Sequence, residues 1–182
     1  MTFLQAFLVS TISCALLCLL TSLLLQVQKQ RRRGWHNLVA DLYRLDMVEL
    51  SAIAIDYLTP RGNQIDIEPK EIWEFLGGYQ GLRKMRENAE TMLALAAYAQ
   101  RWNFAEAVIV TERMRLDAAT LRRAVRHVEL GLIPSKMLRR YQMTIPLHAQ
   151  EAASAYYLMR QRLLALYGTS HAGLYPKLAT AL

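Results

Sequence analysis

The chain is poor in the residues that build the best-known catalytic and metal centres. It has only two cysteines, Cys14 and Cys18, both inside an apolar N-terminal stretch, so the remainder can form neither a disulfide framework nor a cysteine-ligated zinc site. No phosphate-cradling glycine pattern is present, and the three glycines Gly77, Gly78 and Gly81 do not follow a strand. No serine sits in a nucleophile-elbow setting. The four histidines, His36, His127, His148 and His171, are scattered and lie in no H-E-x-x-H context. His148 and Glu151 can share a helix face, but two groups are too few to complete a zinc shell, and no metal or cofactor is expected. With 53% of its 182 residues hydrophobic, the chain is neither a disordered tail nor a collagen-like fibre.

Charge is absent from the first 28 residues, and residues 3–27 are dominated by Leu, Val, Ile, Ala and Phe. A helix of about 20 apolar residues crosses a bilayer core, so residues 1–28 read as one transmembrane anchor. A cleaved signal peptide needs positive charge before the apolar run and a small-residue cleavage site after it, and this run has neither. Positive charge follows the run instead, in Lys29, Arg31, Arg32 and Arg33 of a juxtamembrane segment, 29–34. The positive-inside rule then predicts a single span in the inner (cytoplasmic) membrane, N-terminus outside and the following domain in the cytoplasm. Trp35 reads as an indole at headgroup level beside that basic collar. Thr11, Ile12 and Ser13 before Cys14 do not make a lipoprotein signal, because the basic leader is missing and the apolar run continues past the cysteine. The two cysteines read as lipid-facing or helix-packing residues, since acylated cysteines usually lie nearer the membrane edge. With no ionisable side chain in the run, it reads as an anchor rather than an ion pathway.

Past residue 34 the apolar residues recur at three- and four-residue spacing, which predicts an all-α cytosolic domain, 35–168, of five or six helices. Leu38, Leu42, Leu45, Val48, Ala52 and Ile55 form one stripe and predict a first helix of about 20 residues, ending before Pro60 and Gly62. Pro69 suits a helix start, and Gly77 and Gly78 interrupt or end the short helix that follows. Leu82, Met85, Ala89, Met92, Leu93 and Ala96 mark the next, with Arg83 and Glu87, and Arg86 and Glu90, as four-apart pairs. Asn103 with Glu106 predicts a capped start, and Asp117 a second one, dividing this region in two, although Ala107 to Val128 also makes one unbroken stripe. Pro146 opens a last long helix ending at Gly168, and residues 169–182 are expected as a loosely held tail. The helix pairs around Trp102 have a tetratricopeptide rhythm, but the motif residues and the 34-residue repeat are missing. Trp73, Tyr98 and Trp102 read as core fillers.

The charge is polarised. Residues 35–100 carry 6 basic against 10 acidic side chains, whereas residues 101–182 carry 12 against 5. Arg113, Arg115, Arg122, Arg123, Arg126, Lys136, Arg139 and Arg140 form the densest cluster, a candidate anion-facing patch. The plainer expectation is that half of these pair with the acidic first helices across the fold. No catalytic cluster is visible, so the chain reads as a non-enzymatic, membrane-anchored helical module that binds a protein partner or itself. The alternative is contact with acidic lipid headgroups or nucleic acid through the arginine face, nucleic acid being the less expected because no recognition motif for it is present.

Overall fold

The computed structural model describes Leu17, Thr21 and residues 34–59, 67–132 and 145–182. Among the described residues it is all-α, with seven helices and no strand: α1 Trp35–Ala40, α2 Met47–Leu58, α3 Pro69–Phe75, α4 Gly78–Ala99, α5 Phe104–Gly131, α6 Ile145–Ser170 and α7 Tyr175–Ala181. No described helix is long and apolar enough to cross a membrane. The predicted span, 1–28, lies outside the described residues except at Leu17 and Thr21, where the Thr21 hydroxyl donates to the Leu17 carbonyl at 2.9 Å. Residues 35–182 form one compact unit.

Helix α6 is the hub. It packs against α2, α3, α4, α5 and α7, most extensively against α5. Its buried residues include Ala149, Ala152, Ala153, Ser154 and Ala155, small side chains that let several helices approach one rod closely. Further along, Tyr156, Met159, Leu163, Leu166 and Tyr167 fill the wider spaces. The short turn at 100–103 makes α4 and α5 antiparallel, and the contacts Arg123 to Glu151 and Glu106 to Thr169 set α5 and α6 antiparallel as well.

The predicted first helix is two helices. Asp46 caps α2 by accepting from the Val48 and Glu49 amides at 3.0 and 3.4 Å, which favours a fresh start over continuation. The linker between them is also fastened from outside. Buried Asn88 of α4 accepts from the Tyr43 amide at 2.8 Å and donates to the Tyr43 carbonyl at 2.8 Å, occupying the backbone groups a continuous helix would use.

The opposite correction applies to α5, which runs unbroken for 28 residues. Asn103 caps it as expected, accepting from the Glu106 amide, but Asp117 caps nothing and instead pairs with Arg162 of α6. Continuous burial of Ala107, Met114, Ala118, Leu121, Val125 and Val128 outweighs the local preference of one aspartate. Arg83 pairs with Glu87 as expected, whereas Arg86 reaches across to Glu129 of α5 rather than along its own helix to Glu90.

Between α3 and α4, Gly77 and Gly78 both adopt positive φ, +67° and +61°, a conformation L side chains rarely enter. That reversal brings Gly81 against the Leu76 carbonyl so closely that a Cβ there would overlap it. Residues 169–182, expected as a loose tail, are helical and packed. Serine 170 ends α6, and Leu178 and Leu182 of the α7 segment are buried, because their apolar side chains find cover against α1 and α6.

Candidate functional site

The predicted arginine cluster divides once α5 is a single helix. Arg115, Arg122 and Arg126 recur at seven and four residues and share a solvent-facing stripe. Arg113 and Arg123 border α6 instead. Arg113 lies near enough to Arg162 to join burial, the larger cause, in lowering that guanidinium's pKa. Arg123 donates to the Glu151 carboxylate at 3.0 Å, and Arg115 pairs with Glu112 one turn earlier. Among the described residues neither pair reaches the acidic first helices. Arg122 and Arg126 are exposed and, among the described residues, have no carboxylate within ion-pair distance. Lys136, Arg139 and Arg140 lie outside the described residues, as do Lys29, Arg31, Arg32 and Arg33.

The same helix pairing extends the His148–Glu151 pair, expected on one helix face, into a polar chain whose links to α5 the sequence hid. From Arg123, the Glu151 carboxylate passes to His148 Nδ1 at 3.1 Å, and His148 Nε2 meets His127 Nδ1 at 3.1 Å. An ionised carboxylate only accepts, so His148 carries its proton on Nδ1 when neutral, and Nε2 then accepts from His127. The two rings stand nearly perpendicular, 79° apart. This is the orienting half of a carboxylate–histidine device, lying part-buried between α5 and α6. Among the described residues no group of three or more His, Cys, Asp or Glu is arranged to hold a metal ion. His127 and His148 are 21 residues apart, and no local spacing rule links them.

A second cluster gathers at the end of the bundle where the chain enters at Trp35. Trp35 is not at the surface: it is 5% exposed and stacks obliquely on buried Tyr167, 6.5 Å between ring centres. Trp102, expected in the core, is 41% exposed, with its other edges against Tyr98 (5.3 Å), Tyr167 (6.2 Å) and His171 (4.7 Å). The tight 100–103 turn leaves only one side of that indole with neighbours to cover it. Tyr98 also carries the Arg101 guanidinium over its face at 4.2 Å. Tyr167 holds the cluster to the core by donating to the Leu95 carbonyl at 2.9 Å, and burial pushes its hydroxyl well above the ordinary tyrosine range.

No family model, no curated protein and no solved structure matches the chain.

Proposed function

We propose that this is a single-span protein of the cytoplasmic membrane whose helical domain docks a protein partner at the inner membrane surface. The anchor reading rests on the uncharged apolar run and its basic collar, and the helical back-bond from Thr21 to Leu17 agrees with it. The observation that carries the docking reading is α2. Its twelve residues hold only two charges, Glu49 and Asp56, so it is apolar nearly all round. Leu50, Ile53 and Ala54 are buried, yet Val48 (80% exposed), Ala52 and Ile55 (50% exposed) form a second apolar stripe in water. Helices apolar on both faces are normally covered on both.

A photoreactive residue placed at Ile55 of the full chain, in native membranes, should give one discrete adduct, and Val48→Lys should abolish it. The same residue at exposed Lys84 should give none. A smear or no adduct at Ile55 rejects the reading. A second reading, contact with acidic lipid headgroups or nucleic acid, is favoured by the exposed Arg122 and Arg126, which have no ion-pair partner among the described residues. It requires binding that weakens steeply with salt.

A further inference from the structure

We infer that the aromatic end of the bundle, Arg101, Trp102, Phe104, Tyr175 and Lys177, is a membrane-contact surface that seats the domain on an acidic bilayer. The inference rests on the anchor reading above and adds which face meets the lipid. The chain emerges from that end. Six residues, 29–34, separate the predicted span from Trp35, and fully extended they reach about 20 Å at most. Trp35 is fixed in the bundle by its burial against Tyr167, so under the anchor reading the tether attaches at this end of the bundle.

The composition of this end fits that location. Phe104 is 71% exposed, Trp102 41% and Tyr175 40%, three aromatics at one end of the bundle. Amphipathic aromatics accumulate at membrane–water interfaces, and cationic side chains beside them meet the anionic headgroups. Arg101 and Lys177 are both exposed. Glu106, a carboxylate at this end, is engaged by Asn103 Nδ2 at 2.7 Å and by the Thr169 hydroxyl at 3.2 Å. Alongside Tyr175 lies a shallow, open depression lined by Gln161, Leu164, Ala165, Gly168 and Thr169.

Distance separates this surface from the arginine stripe. Arg122 stands 18 residues along α5 from Phe104, about 27 Å by helix rise. A bundle seated on its aromatic end therefore holds Arg122 beyond the Debye length of about 8 Å at physiological salt. A bundle lying on its α5 side would reverse that order.

The test uses the full chain reconstituted into vesicles of phosphatidylcholine and phosphatidylglycerol, with bromine on the acyl chains just below the headgroups. Trp73 is the internal control. It lies beside Gly78, at the opposite end of α4 from Trp102, about 33 Å away by the rise of 22 residues. In a chain carrying Trp35→Phe, which removes the third indole, tryptophan quenching should persist in Trp73→Phe and be mostly lost in Trp102→Phe. A nitroxide on Phe104→Cys, in a chain carrying Cys14→Ala and Cys18→Ala, should be accessible to oxygen and shielded from a water-soluble nickel chelate, and one on Lys84→Cys the reverse. Phe104 and Lys84 are surface positions, so this second readout does not depend on replacing a packed indole. If the chain floats with the vesicles but Trp73 and Trp102 are quenched alike, the face is wrong and the anchor stands. If Arg122→Glu with Arg126→Glu abolishes the lipid contact while Trp102→Phe leaves it intact, the bundle lies on α5 and the inference is overturned. If the chain fails to float without detergent, the anchor reading fails and this inference falls with it.

Discussion

Replacing Asn88 by alanine tests whether one buried amide fixes the path of the chain between α1 and α2. Asn88 is fully buried and makes three hydrogen bonds: it accepts from the Tyr43 amide (2.8 Å) and donates to the Tyr43 carbonyl (2.8 Å) and the Tyr156 hydroxyl (3.0 Å). The three are not equal in consequence. Tyr43 is exposed, so its backbone groups can turn to water, and losing those bonds costs about 1 kcal/mol each. The Tyr156 hydroxyl is fully buried and cannot, so its orphaning adds about 1–3 kcal/mol. The expected total is about 3–5 kcal/mol, a large part of the roughly 5–15 kcal/mol that holds a domain together.

The assay is thermal unfolding of the full chain in mild detergent, followed by helical circular dichroism, with Tyr156→Phe and the double variant completing a cycle. Because Asn88 and Tyr156 touch, the double variant should be less damaged than the two single costs added together, by at least about 0.5 kcal/mol. Amide exchange at Tyr43 should accelerate in Asn88→Ala and stay near wild type in Tyr156→Phe. A cost under about 1 kcal/mol with additive singles would refute the argument, since it would mean the amide is replaced by water at no penalty.

The remaining expectations use the same measurements. Burial pushes the Tyr156 hydroxyl from its ordinary 10.0 to about 12. Its raised folded value means the unfolded chain loses this proton first, so stability is intact below pH 10 and falls by about 1.4 kcal/mol per pH unit from there to the folded value. Tyr156→Phe should flatten that alkaline slope, and an unchanged slope would contradict it. Gly81→Ala drives a Cβ into the Leu76 carbonyl and should cost at least about 2 kcal/mol or prevent folding, whereas Gly34→Ala, with open space around it, should be nearly silent in the same melt. Glu151→Gln replaces an acceptor-only carboxylate with an amide that can accept or donate, so nitrogen NMR should show a single Nδ1–H tautomer of His148 in the parent chain and a mixture in the variant; the same mixture in both would refute the hydrogen-bonded chain.

How far the sequence disclosed this molecule depends on whether a feature is set by neighbours along the chain or across it. The Asn103 cap, the Gly77–Gly78 joint and the apolar stripe of α4 are local and were legible. Even Asn88 leaves a trace, a polar residue inside the stripe formed by Met85, Ala89 and Met92, although nothing nearby names its partner. The division between α1 and α2 and the continuity of α5 are set across the chain rather than along it: aspartates at 46 and 117 offer the same local capping chemistry, but one finds open backbone amides and caps, and the other pairs with Arg162 and does not. The His127–His148 chain depends wholly on the register of α5 against α6, which no spacing rule supplies.

The two indoles make the same point where it bears on function. Trp35 has the sequence position of an interfacial aromatic, yet Tyr167 and the core enclose it. Trp102, far along the chain, is folded back to the same end and left partly bare by its turn. Sequence position alone therefore marks the wrong indole as the exposed one: packing against Tyr167 and the core encloses Trp35, and the 100–103 turn leaves Trp102 with a face to offer.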